Sequence, residues 1–467
     1  MAVSSITPRI LDFPNPYDFT AVSLAECLST LSLALDLAEG AAPGHALRTC
    51  VLGMRIAHEL RLPSSQLASL FSALLLKDIG GSSLAPRFNQ LIGGGDDRLF
   101  QSVLFRLDGA DTGHSQATTL RLLWKTVQPG EPPLRRFSAV LRLGFSWQHH
   151  AAGLIALRCE RSAALLHSLG LDHLSAEAAS CLYERWDGSG LPAHRLGDET
   201  PLAGRILSVA HHLDLLATRH QAEHAIELLW RHSGARFDPM LVRVVDHLHR
   251  IGELWPAAVV RMPMQETFRA VLQLAPPEPR TLAPAALDLI CEVFAGVIDA
   301  KSSFTVGHSL RVTETALRIA RRLGLGEERR SLVQRAALLH NLGNLRLPNC
   351  ILDKPGLLSE AESSLMREHP RITREILAHL RPFRRLAFIA GSHHERLDGS
   401  GYPDQLTAPQ LPLEARILAV AVAYNAIVEP RSYHPPFDHD QAIAILGREL
   451  PRRLDPDCCD ALLATHS

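Results

Sequence analysis

His393-His394-Glu395-Arg396-Leu397-Asp398-Gly399-Ser400-Gly401-Tyr402-Pro403 brings two histidines, a carboxylate and a glycine-proline turn together within eleven positions. Adjacent imidazoles cost a fold something to bury as packing, yet they are good ligands for a borderline transition metal. The Asp-Gly-Ser-Gly-Tyr-Pro that follows is loop chemistry, with glycines and a proline that stop regular structure. The stretch therefore reads as a metal-ligating pair that runs into a rigid loop.

Working outward, the chain repeats itself. Leu182-Tyr183-Glu184-Arg185-Trp186-Asp187-Gly188-Ser189-Gly190-Leu191-Pro192 lies over the quoted stretch at an offset of 211, and Pro201 to Leu207 lies over Pro412 to Leu418 in the same register. Upstream, Gly44-His45 matches Gly307-His308, and Leu76-Lys77-Asp78-Ile79-Gly80 matches Leu339-His340-Asn341-Leu342-Gly343, both at an offset of 263. The difference of 52 residues is an insertion in the first copy, between Asp78 and about Glu160, placed near 85–150. Such internal similarity decides architecture more firmly than composition does. Pro276-Pro277-Glu278-Pro279 is the linker candidate, because consecutive prolines stop a helix and stiffen the chain. The expected units are 1–280, carrying the insertion, and 281–467. Both read as all-α. Ser309 to Leu323 carries Leu310, Ala316, Ile319, Ala320 and Leu323 on a rough apolar stripe, and Leu332 to Leu339 continues the pattern. Runs of β-branched residues between hairpin turns are scarce.

Composition narrows the function. At 467 residues the chain exceeds one ordinary core. A formal net charge of −1 gives no basic surface for a nucleic-acid polymer, while a small anionic ligand stays open. The apolar run Ile417 to Tyr424 is far short of the roughly 20 residues that span a bilayer, so no membrane segment is expected. Pro8, Asp12, Pro14, Pro16 and Asp18 stand where a signal peptide needs an apolar core, and the eight cysteines form no C-x-x-C pair. A cytoplasmic location is the expectation.

The motifs, in their order, resemble the HD-GYP proteins, metal-dependent cyclic di-GMP phosphodiesterases of bacteria within the HD superfamily. The resemblance implies two HD-type helical bundles in tandem. It also implies a metal centre in the second half built from His308, the His340-Asn341 pair, His369, His393 and His394. Two of the family's aspartates are replaced, by Asn341 and by Val422. On the family pattern one metal keeps only His308 and His340, whereas the other keeps His369, His393 and His394, enough for a single Fe, Mn or Zn ion. One ion per chain, or none, is the expectation. Asn344 stands where the family has a phosphate-binding lysine, with Arg346 and Lys354 as further substrate-binding candidates. The loop Gly399, Gly401, Tyr402 and Pro403 is associated in the family with protein partners, including diguanylate-cyclase domains.

Carried onto the first copy, the family positions fall on His45, Lys77, Asp78, Glu160, Leu182, Tyr183 and His211. Leu182 cannot bind a metal and Tyr183 is a poor ligand at neutral pH, so this site is degenerate. Lys77 is expected to replace an ion by pairing with Asp78. Two readings follow. One is a phosphodiesterase acting on cyclic di-GMP or a related nucleotide, impaired by the lost aspartates. The other is a catalytically inactive module that senses a nucleotide or recruits a signalling partner.

Overall fold

The computed structural model describes residues 22–93, 121, 123–128, 131–255, 263–277, 281–432 and 435–464. Among the described residues the chain is all-α, with helices joined by 3-10 turns and only isolated bridges such as Asp187 to Leu196 and Asp398 to Thr407. Those two bridges pin equivalent loops of the two halves.

The halves use equivalent helices in the same order. Leu24–Ala38 corresponds to Pro284–Asp299, His45–Glu59 to His308–Arg322, Ser64–Leu76 to Glu327–Leu339, and Leu202–Ala217 to Leu413–Val428. The His45 and His308 helices each start directly after a glycine in the left-handed region, Gly44 at φ 81° and Gly307 at φ 70°. A residue with a Cβ is strained there, so glycine sets the turn that delivers a histidine as the first helical residue. The apolar stripe on His308–Arg322 is Val312, Ala316, Ile319 and Ala320. Leu310, expected on that stripe, is instead exposed, because its position rotates off the face that the following residues define.

The insertion is partly described. Ala85–Ile92 ends at Gly93, and the 36-residue helix Pro133–Ser168 follows. Leu84, Phe88, Ile92, Leu123, Val127, Val140, Leu143 and Leu154 close a small satellite core there. Gly94 and Gly95 lie outside the described residues, as do Glu278 and Pro279 of the linker candidate. No single helix among the described residues is long and apolar enough to cross a membrane.

One buried apolar core runs through both halves, from Leu31, Leu47 and Leu74 to Phe294, Leu339 and Phe383. Each such side chain contributes about 1.5–3 kcal/mol on leaving water. The halves meet reciprocally. Leu24–Ala38 of the first packs on the 3-10 turn Leu342–Arg346 and on the helix His369–Leu377 of the second, while Pro284–Asp299 packs on the turn Gly81–Leu84. Ser82 Oγ donates to Val297 O at 2.8 Å and Leu282 N to Val22 O at 2.7 Å across the same boundary. Each half thus lays its leading helix on the turn that follows the other's His/Lys-Asn/Asp pair, as two copies related by a two-fold would.

Candidate metal centre

Four helix ends bring five histidines of the second half together. His308 opens its helix, His340 caps Glu327–Leu339, His369 opens His369–Leu377, and His393-His394 follow Arg384–Gly391. Close backbone approach makes this possible. A Cβ on Gly343 would lie 2.1 Å from the His369 carbonyl oxygen, so only glycine lets the His369 helix settle beside the His340-Asn341 turn. Thr373 clamps the approach, donating to His340 O at 3.0 Å while its Oγ1 accepts from Gly343 N at 2.9 Å.

The rings form one continuous cluster. Centroid separations are 5.6 Å for His308 and His340, 4.9 Å for His340 and His393, 5.1 Å for His369 and His393, and 4.2 Å for His393 and His394. Three of them point one nitrogen at the backbone. His340 Nδ1 meets Ala337 O at 2.7 Å, His369 Nδ1 meets Met366 O at 2.7 Å, and His393 Nδ1 meets Ala390 O at 2.6 Å. A carbonyl oxygen can only accept, so Nδ1 carries the proton in each and Nε2 keeps its lone pair. Burial keeps these rings neutral: desolvation lowers His340 to about 3 and His369 to about 4, and desolvation with neighbouring imidazoles holds His393 and His394 well below the usual range.

Two consequences test the fit of a metal. His369 Nε2 and His393 Nε2 face each other at 3.1 Å as two acceptors, an arrangement that is repulsive unless a cation lies between or beside them. His340 Nε2 is buried with no protein partner. Ligand atoms of His369, His393 and His394 all lie within 4.8 Å of one another. Neutral imidazoles with free lone pairs and one shared focus suit Fe, Mn or Zn.

Around this focus the other candidates take defined places. Asn341 and Val422 are buried, at the start of the 3-10 turn Leu342–Arg346 and within Leu413–Val428. Asn344 is buried and its Oδ1 has no partner, Arg346 is exposed, and Lys354 Nζ pairs with Glu362 at 2.6 Å. Tyr402 stacks on His394 with centroids 4.8 Å apart, so the loop touches the cluster directly. Buried Glu395 holds the loop shut, accepting from Asp404 N at 2.7 Å and Leu406 N at 2.9 Å. A Cβ on Gly401 would lie 2.4 Å from Arg396 N, which fixes glycine there.

Sequence reasoning missed the partners of His308. Its Nδ1 meets Glu429 Oε2 at 2.8 Å, and Arg311 Nε donates to Glu429 Oε1 at 2.9 Å. Burial alone would raise the Glu429 carboxyl, but the hydrogen bonds from His308 and Arg311 bring it down to about 2. The signal available was an arginine three residues after the leading histidine in both halves, Arg48 and Arg311.

The first half has a buried set of ion pairs at the equivalent place. Lys77 Nζ binds Asp78, and Arg158 Nη2 reaches the other Asp78 oxygen at 2.5 Å while Nη1 donates to Glu39 at 2.7 Å. Glu160, expected here, is exposed and does not belong to the site. The counterpart of His369 is Arg158: a Cβ on Gly80 would lie 2.5 Å from Arg158 O, as Gly343 stands to His369, and Ser162 takes the part of Thr373. The offset of 211 that relates the two loops also relates Arg158 to His369. Arg158 also lies over the Tyr183 ring at 5.6 Å, and Leu182 is buried in the core. His45 contacts Asp214 at 2.6 Å through Nδ1 and His211 Nδ1 at 3.0 Å through Nε2. A cavity of about 260 Å³ opens beside His45, Asp78, His211 and Asp214.

A sequence profile described as "HD domain" matches residues 149–241 and 292–458, more than half of the chain. Over 440 residues the chain is 35% identical to 3'3'-cGAMP-specific phosphodiesterase 3 of Vibrio cholerae, covering 94% of each protein. It belongs to the HD-domain family, in the HD-GYP branch. This HD-GYP protein also resembles the cyclic di-GMP phosphodiesterase response regulator RpfG of Xanthomonas campestris, 42% identical over 171 residues, which is 36% of this chain and 45% of that one. Among solved structures, the cyclic GMP-AMP specific phosphodiesterase V-cGAP3 of V. cholerae superposes with a TM-score of 0.66 at 32% identity, covering 95% of this chain and 97% of that one. The likeness to that structure thus runs along nearly the whole of both chains.

Proposed function

We propose that this HD-GYP protein is a metal-dependent phosphodiesterase that opens a guanine-containing cyclic dinucleotide in its second half, with 3'3'-cGAMP as the preferred substrate. The observation that carries the chemistry is the pair of facing Nε2 lone pairs on His369 and His393, with His394 at the same focus. The choice of substrate is supported by likeness along 94% of the chain to a 3'3'-cGAMP-specific enzyme, where likeness to RpfG covers 36%.

His369, His393 and His394 would hold one divalent ion tightly, and His308 with His340 would flank it as a weaker position, since Asn341 and Val422 offer no anionic oxygen. Such an ion polarises a phosphoryl oxygen and lowers the pKa of bound water. The chain's own residues do the rest: backbone carbonyls fix each imidazole's tautomer, and burial keeps the rings unprotonated at neutral pH. Tyr402 covers His394, and the Gly399–Pro403 loop around it is the proposed surface for protein partners. We divide the protein near residue 280 into a first unit with an ion-free site and a second that carries the metal, and place it in the cytoplasm.

The test is metal analysis of freshly purified protein, followed by product analysis with 3'3'-cGAMP and cyclic di-GMP under added Mn²⁺ or Fe²⁺. About one tightly held ion per chain and faster cleavage of 3'3'-cGAMP are expected. His393→Ala with His394→Ala should remove the ion and the activity together. Absence of cleavage of either nucleotide by metal-loaded protein would overturn the assignment.

A further inference from the structure

The two halves solve one problem with carboxylates at different positions. In the first, Asp214 accepts from Arg48 Nε at 2.7 Å and contacts His45 Nδ1 at 2.6 Å. The repeat register puts His308, Arg311 and Asn425 at the positions of His45, Arg48 and Asp214. Asn425 is turned elsewhere: its Nδ2 donates to Thr315 Oγ1 at 3.0 Å and to Ala421 O at 2.9 Å. Glu429, four residues further along and the C-cap of Leu413–Val428, occupies the vacated role, with Oε2 on His308 Nδ1 and Oε1 on Arg311. Residues four apart lie on one helix face a turn from each other, and the longer glutamate side chain spans the extra rise.

We propose that Glu429 is a positioning residue: a carboxylate moved one helical turn from the Asn425 position, which fixes His308 as its Nδ1–H tautomer and aims Nε2 at the flanking metal position. This rests on the metal centre proposed above. An ionised carboxylate can only accept, so it enforces one tautomer, whereas an amide can offer either its oxygen or its NH₂ and enforces none. A carboxylate behind a ligating imidazole also raises its basicity. Arg311 at 2.9 Å and Arg431, whose Nη2 lies 3.7 Å from Glu429 Oε2, supply the counter-charge that lets a buried glutamate stay ionised. The backbone carbonyls behind His340, His369 and His393 perform the same task for those rings, and at His308 the Glu429 carboxylate takes that place.

The experiment compares unmodified protein, Glu429→Gln, and Asn425→Asp with Glu429→Gln. Two readouts are taken: the imidazole ¹⁵N resonances of His308 in metal-free protein, and Mn²⁺ binding by calorimetry. In Glu429→Gln the His308 resonances should move toward a tautomer mixture. The weaker Mn²⁺ event should lose affinity on the order of tenfold or more, with the tight event changed less than about twofold, a selectivity that a general loss of structure would not give. The double variant should recover most of both. Unchanged ¹⁵N resonances in Glu429→Gln, a weak Mn²⁺ event that does not depend on Glu429, or a double variant no better than the single would each overturn the proposal. Neither readout uses turnover, so a protein that binds Mn²⁺ as expected and cleaves no cyclic dinucleotide would refute the function while leaving this inference standing.

Discussion

Replacing Lys77 by methionine removes one cation from a buried set whose charges balance. Lys77 and Arg158 face Asp78 and Glu39, and all four are at most 5% exposed. Burial opposes ionisation of Asp78, but Lys77 first and then Arg158 pull it from 3.8 down to about 2. That lowering corresponds to about 2 kcal/mol of native-state stability at neutral pH. Breaking a buried pair by deleting one partner typically costs about 3–5 kcal/mol, and Arg158 remains to shield the orphaned carboxylate, so about 3 kcal/mol is expected for Lys77→Met. Because the folded pKa lies below the unfolded one, the Asp78 contribution is present above about pH 4 and is lost as pH falls through about 2. The cost of Lys77→Met should therefore shrink in acid. Adding Asp78→Asn restores balance, leaving Arg158 with Glu39, and should return stability to within about 1 kcal/mol of the unmodified protein. Urea unfolding followed by circular dichroism at pH 7 measures all three. If Lys77→Met is as stable as the parent, or the double variant is worse than the single, the view of Lys77 as an ion substitute is wrong.

Metal-free protein should lose stability in acid, because the folded-state values of His340 and His369, about 3 and about 4, lie below the unfolded value near 6.5. The unfolded chain gains protons that the native state refuses, an effect of about 2 kcal/mol per histidine by pH 5; a urea midpoint in chelator that is flat from pH 7.5 to 5 would contradict it. Gly401→Ala forces a Cβ to 2.4 Å from Arg396 N and should cost about 1–3 kcal/mol or more, with disturbed metal binding; wild-type melting and metal content would show that the loop has slack. Asn341→Asp with Val422→Asp should raise occupancy of the flanking metal position and the phosphodiesterase rate, with Asn344→Lys adding phosphate affinity. Equal turnover by the unmodified protein would mean that one ion on His369, His393 and His394 suffices.

The sequence alone determined the all-helical class, the tandem repeat and the family, because glycine-histidine starts, paired polar residues and the Gly-Ser-Gly-Tyr-Pro loop are local signals whose spacing survives any packing. It also named all five clustered histidines, since motif order carries them. Tertiary structure decided what those groups face. Arg158, not Glu160, fills the first site: the offset of 211 pairs Arg158 with His369, but only the packing at Gly80 shows that its side chain turns in to Asp78 and Glu39. Glu429 stands behind His308, because a carboxylate displaced by one turn looks like surface charge until the helix is docked. The reciprocal meeting of Leu24–Ala38 and Pro284–Asp299 with the opposite halves was likewise invisible, since an apolar helix face does not specify which neighbour will cover it.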